Sequence, residues 1–251
     1  MRPDIFDLES FYASRLGQRV RRKVARALAR LVPDLEERDG LALGYPLPFL
    51  SGADRFAVVM PREQGARAAG SCGSRVVLAH EHELPFADRT FACALLVHAL
   101  EHSPRPGRLL RELWRVLADG GLLVAVVPNR HGLWSLSERT PFGTGRPFTA
   151  GALRALLREQ LFEPCGVERA LFWPPLPAAG VAGAAERIGR ALLPELSGVV
   201  LVAAEKRIAL APVVPAAGRS AAAARIPALF AGHHAREHSA RRRPPENGRR
   251  P

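Results

Sequence analysis

Cysteine is scarce. The chain of 251 residues has three, Cys72, Cys93 and Cys165, far apart and with no Cys-x-x-Cys pair. That argues against a disulfide-stapled scaffold and a zinc knuckle, and no metal site is expected. Long apolar runs are missing too. The most hydrophobic stretches, "GLLVAVVP" and "GVVLVAAE", are far shorter than the roughly 20 residues of a membrane-spanning helix and have the length of buried strands. The opening "MRPDIFDLES" carries acids and no apolar core of a secretion signal. A reduced, cytoplasmic protein is the expectation. Acids are outnumbered, and the formal net charge is +12. From Ala211 to Pro251 eight arginines face only Glu237 and Glu246, so half of the excess lies in that tail. The tail has one aromatic residue, Phe230, a poor supply of stacking surfaces for single-stranded nucleic acid.

What is present is an alternation of apolar strands and amphipathic helices. Residues 10–32 place Leu16, Val20, Val24, Leu28 and Leu31 at helical spacing, with arginines and Lys23 on the other faces and Pro33 at the end. Strands are expected at 40–44, 55–60, 74–80, 90–98 and 120–128, with helices over 105–118 and 149–162. "CGVERALFW" and "GVVLVAAEK" read as two more strands around a helix near 181–193. Continuous apolar strands separated by helices argue a parallel sheet covered on both faces. Beyond Ile208 the pattern gives way to Ala, Pro and Arg, a composition that buries too little apolar surface to order itself. Three regions are therefore expected: an N-terminal helical region (1–36), an α/β domain (37–210) and a disordered basic tail (211–251).

The block "HELPFADRTFACALLVHALEHSPRPGRLLRELWRVLADGGLLVAVVPN" resembles the class I S-adenosylmethionine-dependent methyltransferases, in particular the type 11 methyltransferase domain. The resemblance implies a Rossmann-like, mostly parallel seven-stranded sheet whose last strand, 198–206, is antiparallel. It implies S-adenosylmethionine as cofactor and a small-molecule acceptor. In open α/β sheets ligands lie beyond the carboxyl ends of the strands, where the strand order reverses. That places the cofactor near Gly44, Tyr45, Met60, His80, Glu81, Val97 and His98.

This chain departs from the family pattern in its first loop, "LALGYPLPFL". The family has an acid followed by Gly-x-Gly-x-Gly, glycines that let the backbone approach the ligand. Aligned on Gly44, the acid becomes Ala42 and the later glycines become Pro46 and Pro48. Met60-Pro61 stands where an acid would meet the ribose, with Glu63 the nearest carboxylate. His80, with Glu81 beside it, stands where an Asp would meet the adenine. Two alternatives stay open: a non-catalytic methyltransferase-like binding domain, favoured by the depleted loop, and a nucleic-acid-associated protein, favoured by the basic helix and tail.

Other motifs carry less. "HALEH" (98–102) matches a zinc-protease pattern but starts at the end of a strand rather than on a helix face, and "HAREH" repeats it in the tail. His80 and His82 alternate with Glu81 and Glu83 in a polar strand exit. Cys93 and Cys165 are expected to pack in strands and Trp114 in the core. The long stretch 129–149 follows the fifth strand at the ligand end of the sheet, where loops tend to carry function. Arg130, Trp134 and Arg146 there are candidate substrate contacts, with a cover over the sheet edge as the alternative. No residue stands out as a general base.

Overall fold

The basic N-terminal segment folds as two helices where one was expected. The computed structural model describes residues 3–50, 55–62, 76–175 and 182–208, and its first elements are α1 (Ile5–Ala13) and α2 (Arg15–Leu31). Asp4 and Asp7 form a capping box that starts α1. Ser14 takes an extended backbone between the two, donates its hydroxyl to the Phe11 carbonyl and accepts the Gly17 amide. One side chain thus closes one helix and caps the next. α2 buries Val20, Val24, Ala27 and Leu28, while its six arginines and one lysine meet no acid within the helix.

The strands are β1 (Gly40–Gly44), β2 (Phe56–Pro61), β3 (Val76–Ala79), β4 (Phe91–Val97), β5 (Leu117–Pro128), β6 (Phe162–Ala170) and β7 (Val199–Lys206). They form one seven-stranded sheet in the order β3-β2-β1-β4-β5-β7-β6. β1 to β5 pair in parallel, and β7 runs antiparallel to both β5 and β6. The expected architecture, with 198–206 as the antiparallel strand, is what the chain adopts.

Successive side chains of a strand point to opposite faces, and here both faces are covered. Ala42, Val58, Leu95 and Val124 belong to one core, under α1 and α2. Leu41, Leu43, Leu96 and Leu123 belong to the other, under the remaining helices α3 (Pro106–Val116) and α4 (Ala150–Glu159). This is why the strands read as unbroken apolar runs. Just after β1 the chain makes a 3-10 turn, Leu47–Phe49. α2 packs Val20, Val24 and Leu28 into the same core as Phe49, in the place a first crossover helix would take.

Two expectations need correction. α3 ends at Val116 rather than at 118, because Leu117 already pairs with Phe91 in β4 and Ala118–Gly121 bulge before pairing resumes at Leu122. Cys93 and Cys165 both lie in strands as expected, Cys93 buried in β4 and Cys165 exposed on the edge strand β6. Trp114 is half-buried, its ring beneath Lys206 Nζ at 4.1 Å. A last helix, α5 (Ala182–Leu192), lies against β6. The tail beyond residue 208, Cys72 and Glu63 lie outside the described residues.

Candidate active site

The strand order reverses between β1 and β4, so the crevice expected of such a sheet lies beyond Gly44 and Val97. Gly44 takes a left-handed backbone with φ 96°, and a Cβ there would lie 2.1 Å from the Val97 carbonyl oxygen. The next amide, Tyr45 N–H, donates to that same oxygen at 2.8 Å. The single retained glycine therefore serves the close approach of β1 to β4. The neighbour for which its missing side chain leaves room is a backbone carbonyl.

At the exit of β4, His98 also holds a left-handed backbone, φ 52°, which is costly for a residue with a side chain. Its ring is 1% exposed. Nε2 lies 2.8 Å from the Tyr12 hydroxyl, brought by α1 from 86 residues away. Nδ1 lies 3.3 Å from Glu101 Oε1, a charge contact off the line of a hydrogen bond, so both Glu101 oxygens are buried without a well-aligned donor. Burial raises the pKa of this carboxyl, but the His98 contact, with His98 and His102 charge, outweighs it and leaves the value below the usual glutamate range. The Tyr12 phenol moves the opposite way, well above the ordinary tyrosine value, through burial first and then the Glu101 charge. The three side chains form a buried row, hydroxyl, imidazole and carboxylate.

Aromatic rings enclose that row. Tyr12 stacks on Tyr45 at 5.9 Å and meets Phe49 edge-on at 5.5 Å. Phe142 stands 5.0 Å from His98. The Tyr45 phenol is pushed up to about 12 by burial, with Glu9 adding to it.

The other expected residues are placed as follows. Met60 and Val97 are buried in β2 and β4. At the exit of β3, His80 is exposed in a turn closed by Glu83 N–H to His80 O. Glu81 is buried and accepts the Ser103 hydroxyl at 2.5 Å. Arg130 and Arg146 are exposed. Trp134 is not a surface contact: it is fully buried, wedged against Phe142 and Trp173, and its indole N–H donates to the Trp173 carbonyl at 2.5 Å. "HALEH" spans the strand exit and a 3-10 turn, Leu100–His102, so its histidines share no helix face. Among the described residues no cluster of His, Cys, Asp or Glu could hold a metal ion.

Sequence reasoning missed Tyr12, Glu101 and Phe142. The i, i+3 spacing of His98 and Glu101 was a usable signal. Nothing local in the sequence points Tyr12 at His98.

This strand order with a terminal antiparallel strand is the fold of the class I methyltransferases. Within it, residues 52–125 match the methyltransferase domain family. Over 64 residues the chain is 44% identical to uncharacterized methyltransferases of Mycobacterium sp. strains KMS and JLS. The alignment covers 26% of this chain and 25% of those proteins, so the chain spans about a quarter of the length of the relatives it matches.

Three solved structures share the fold at low identity. A possible histamine N-methyltransferase from Thermotoga maritima superposes with a TM-score of 0.59 at 22% identity, over 81% of this chain and 96% of that one. A putative methyltransferase bound to the Haloferax volcanii Trm112 activator gives 0.55 at 17%, over 82% and 99%. An Archaeoglobus fulgidus methyltransferase gives 0.54 at 19%, over 81% and 100%.

Proposed function

We propose that the protein is an S-adenosylmethionine-dependent methyltransferase acting on a small-molecule acceptor. The observation that carries this reading is the sheet order together with the matched segment, which runs from before β2 into β5. That segment supplies three of the four strand ends that wall the crevice. The residues present fit a cationic donor. Glu101 is buried, held in its charged form and without a well-aligned hydrogen-bond donor, a setting that a sulfonium nearby would stabilise. Gly44, Tyr45 and Val97 would hold the methionine end, Met60 the ribose side, and His80 with Glu81 the adenine side.

When bound, the cofactor supplies an electrophilic methyl group. The chain's own part is placement and proton handling. With a single ring proton on Nδ1, on the side of Glu101, His98 would leave Nε2 as an acceptor. Tyr12 now fills that acceptor. An acceptor hydroxyl or amine that took the place of the Tyr12 hydroxyl would give up its proton to the same nitrogen. In-line placement with loss of water supplies the rest.

Calorimetry with S-adenosylhomocysteine on the purified protein tests this. Binding in the micromolar range, roughly 8 kcal/mol, is the expected result. No heat at millimolar ligand would overturn it. That outcome would favour the second reading, a methyltransferase-like domain without the cofactor, which the tight aromatic packing of Tyr12 on Tyr45 and Phe49 supports.

A further inference from the structure

Exposed leucines are normal one at a time. Here six large aliphatic residues are exposed on two segments that touch. Leu133 and Leu136 are 50% and 79% exposed just after β5. Ile188, Leu192, Leu193 and Leu196 are 57%, 72%, 53% and 47% exposed on α5 and the turn that follows. The two backbones are in contact: Asn129 Nδ2 donates to the carbonyls of Glu195 and Ser197 at 2.8 Å, and a Cβ on Gly132 would lie 2.2 Å from Ser197 O. This aliphatic rim stands at the carboxyl end of β5, the same end of the sheet as the crevice.

α5 also forms one wall of a cationic groove. The groove measures 400 Å³ and is lined by Lys23, Arg26 and Arg30 of α2 with Glu186, Arg187 and Arg190 of α5. Its one acid is spent, because Glu186 accepts the amides of Leu171 and Phe172. Arg30 and Arg190 share Glu168, while Arg26 and Arg187 make no ion pair among the described residues. One short helix therefore presents cations on a groove and aliphatic side chains beside it.

We propose that this edge of the molecule docks on an anionic lipid bilayer, with the arginines at the headgroups and Ile188, Leu192, Leu193 and Leu196 inserted below them. Charge complementarity names the partner, and the aliphatic rim separates it from a nucleic acid, whose backbone would use the cations but not the leucines. No helix among the described residues is long and apolar enough to cross a membrane, so the contact is peripheral.

The test uses the full chain and vesicle sedimentation, with phosphatidylglycerol–phosphatidylcholine vesicles against phosphatidylcholine alone. Binding to the anionic vesicles only is expected. Leu192→Asp with Leu196→Asp, and separately Arg26→Glu with Arg187→Glu, should each weaken it about tenfold or more. All four positions are at the surface, and circular dichroism with a melting curve confirms the fold. Three results would overturn the proposal. The wild type fails to bind anionic vesicles. The leucine pair binds as the wild type does, leaving a purely electrostatic contact. Both pairs bind unchanged, which places the contact on another part of the chain such as the arginine-rich tail. Tighter binding to duplex DNA that ignores the leucine pair would accompany the second of these and favour a nucleic acid. Vesicle binding is independent of cofactor binding, so failure here leaves the methyltransferase reading untouched.

Discussion

At the exit of β4 one residue combines three features: His98 bears a left-handed backbone, shares a hydrogen bond with the Tyr12 hydroxyl and faces Glu101. Replacing it with alanine strands a buried carboxylate and a buried hydroxyl together, and a loss of about 3 kcal/mol or more in urea unfolding is expected. Tyr12→Phe keeps the ring packing and removes only the hydrogen bond, so it should cost about 1 kcal/mol. Glu101 adds a pH dependence with a definite sign. Its folded-state pKa lies below the ordinary value of 4.5, so its contribution is complete above that value and is lost as pH falls toward and through the folded value. Melting curves from about pH 6 to about pH 3 should fall less steeply for Glu101→Gln than for the wild type. Gly44→Ala is expected to cost about 2 kcal/mol or more, since φ 96° and the Val97 carbonyl both oppose a Cβ. A Gly44→Ala variant as stable as the wild type would show that β1 and β4 can separate at no cost.

Among the elements, the strands were the legible part. β1, β2, β4, β5 and β7 are buried on both faces, and a doubly buried strand announces itself as a continuous apolar run. The helix break at Ser14 was hidden because the apolar spacing of α2 continues toward α1 without a proline or glycine pair to mark a stop. It is a serine that ends one helix and starts another, and Ser14→Ala should lower stability by about 1 kcal/mol in chemical denaturation. The site was half legible. His98 and Val97 follow from where β4 ends, a local matter. Tyr12 depends on how α1 lies over the sheet, and packing between elements leaves no mark in local periodicity. Trp134 misled for a related reason: an aromatic in a long loop reads as a contact for ligands, yet here the loop is a cover and the indole is its anchor.

For the whole molecule, residues 1–209 form one compact unit. Ending the chain after Ala209 should leave the melting temperature within about 2 °C of the full chain, and a larger drop would mean that the basic tail contributes to the domain. The N-terminal helices have a different consequence, one of timing. Tyr12 waits for a partner 86 positions on, and Arg30 for Glu168, 138 positions on. During synthesis α1 and α2 leave the ribosome before the sheet they cover, and their partners on β4 and β6 follow later. Until then the core that Val20, Val24 and Leu28 enter is incomplete. A nascent chain halted before β6 should therefore offer a long, basic, half-apolar helix to chaperones, and refolding should show the enclosure of Tyr12 as its final step, later than the pairing of β1 with β4.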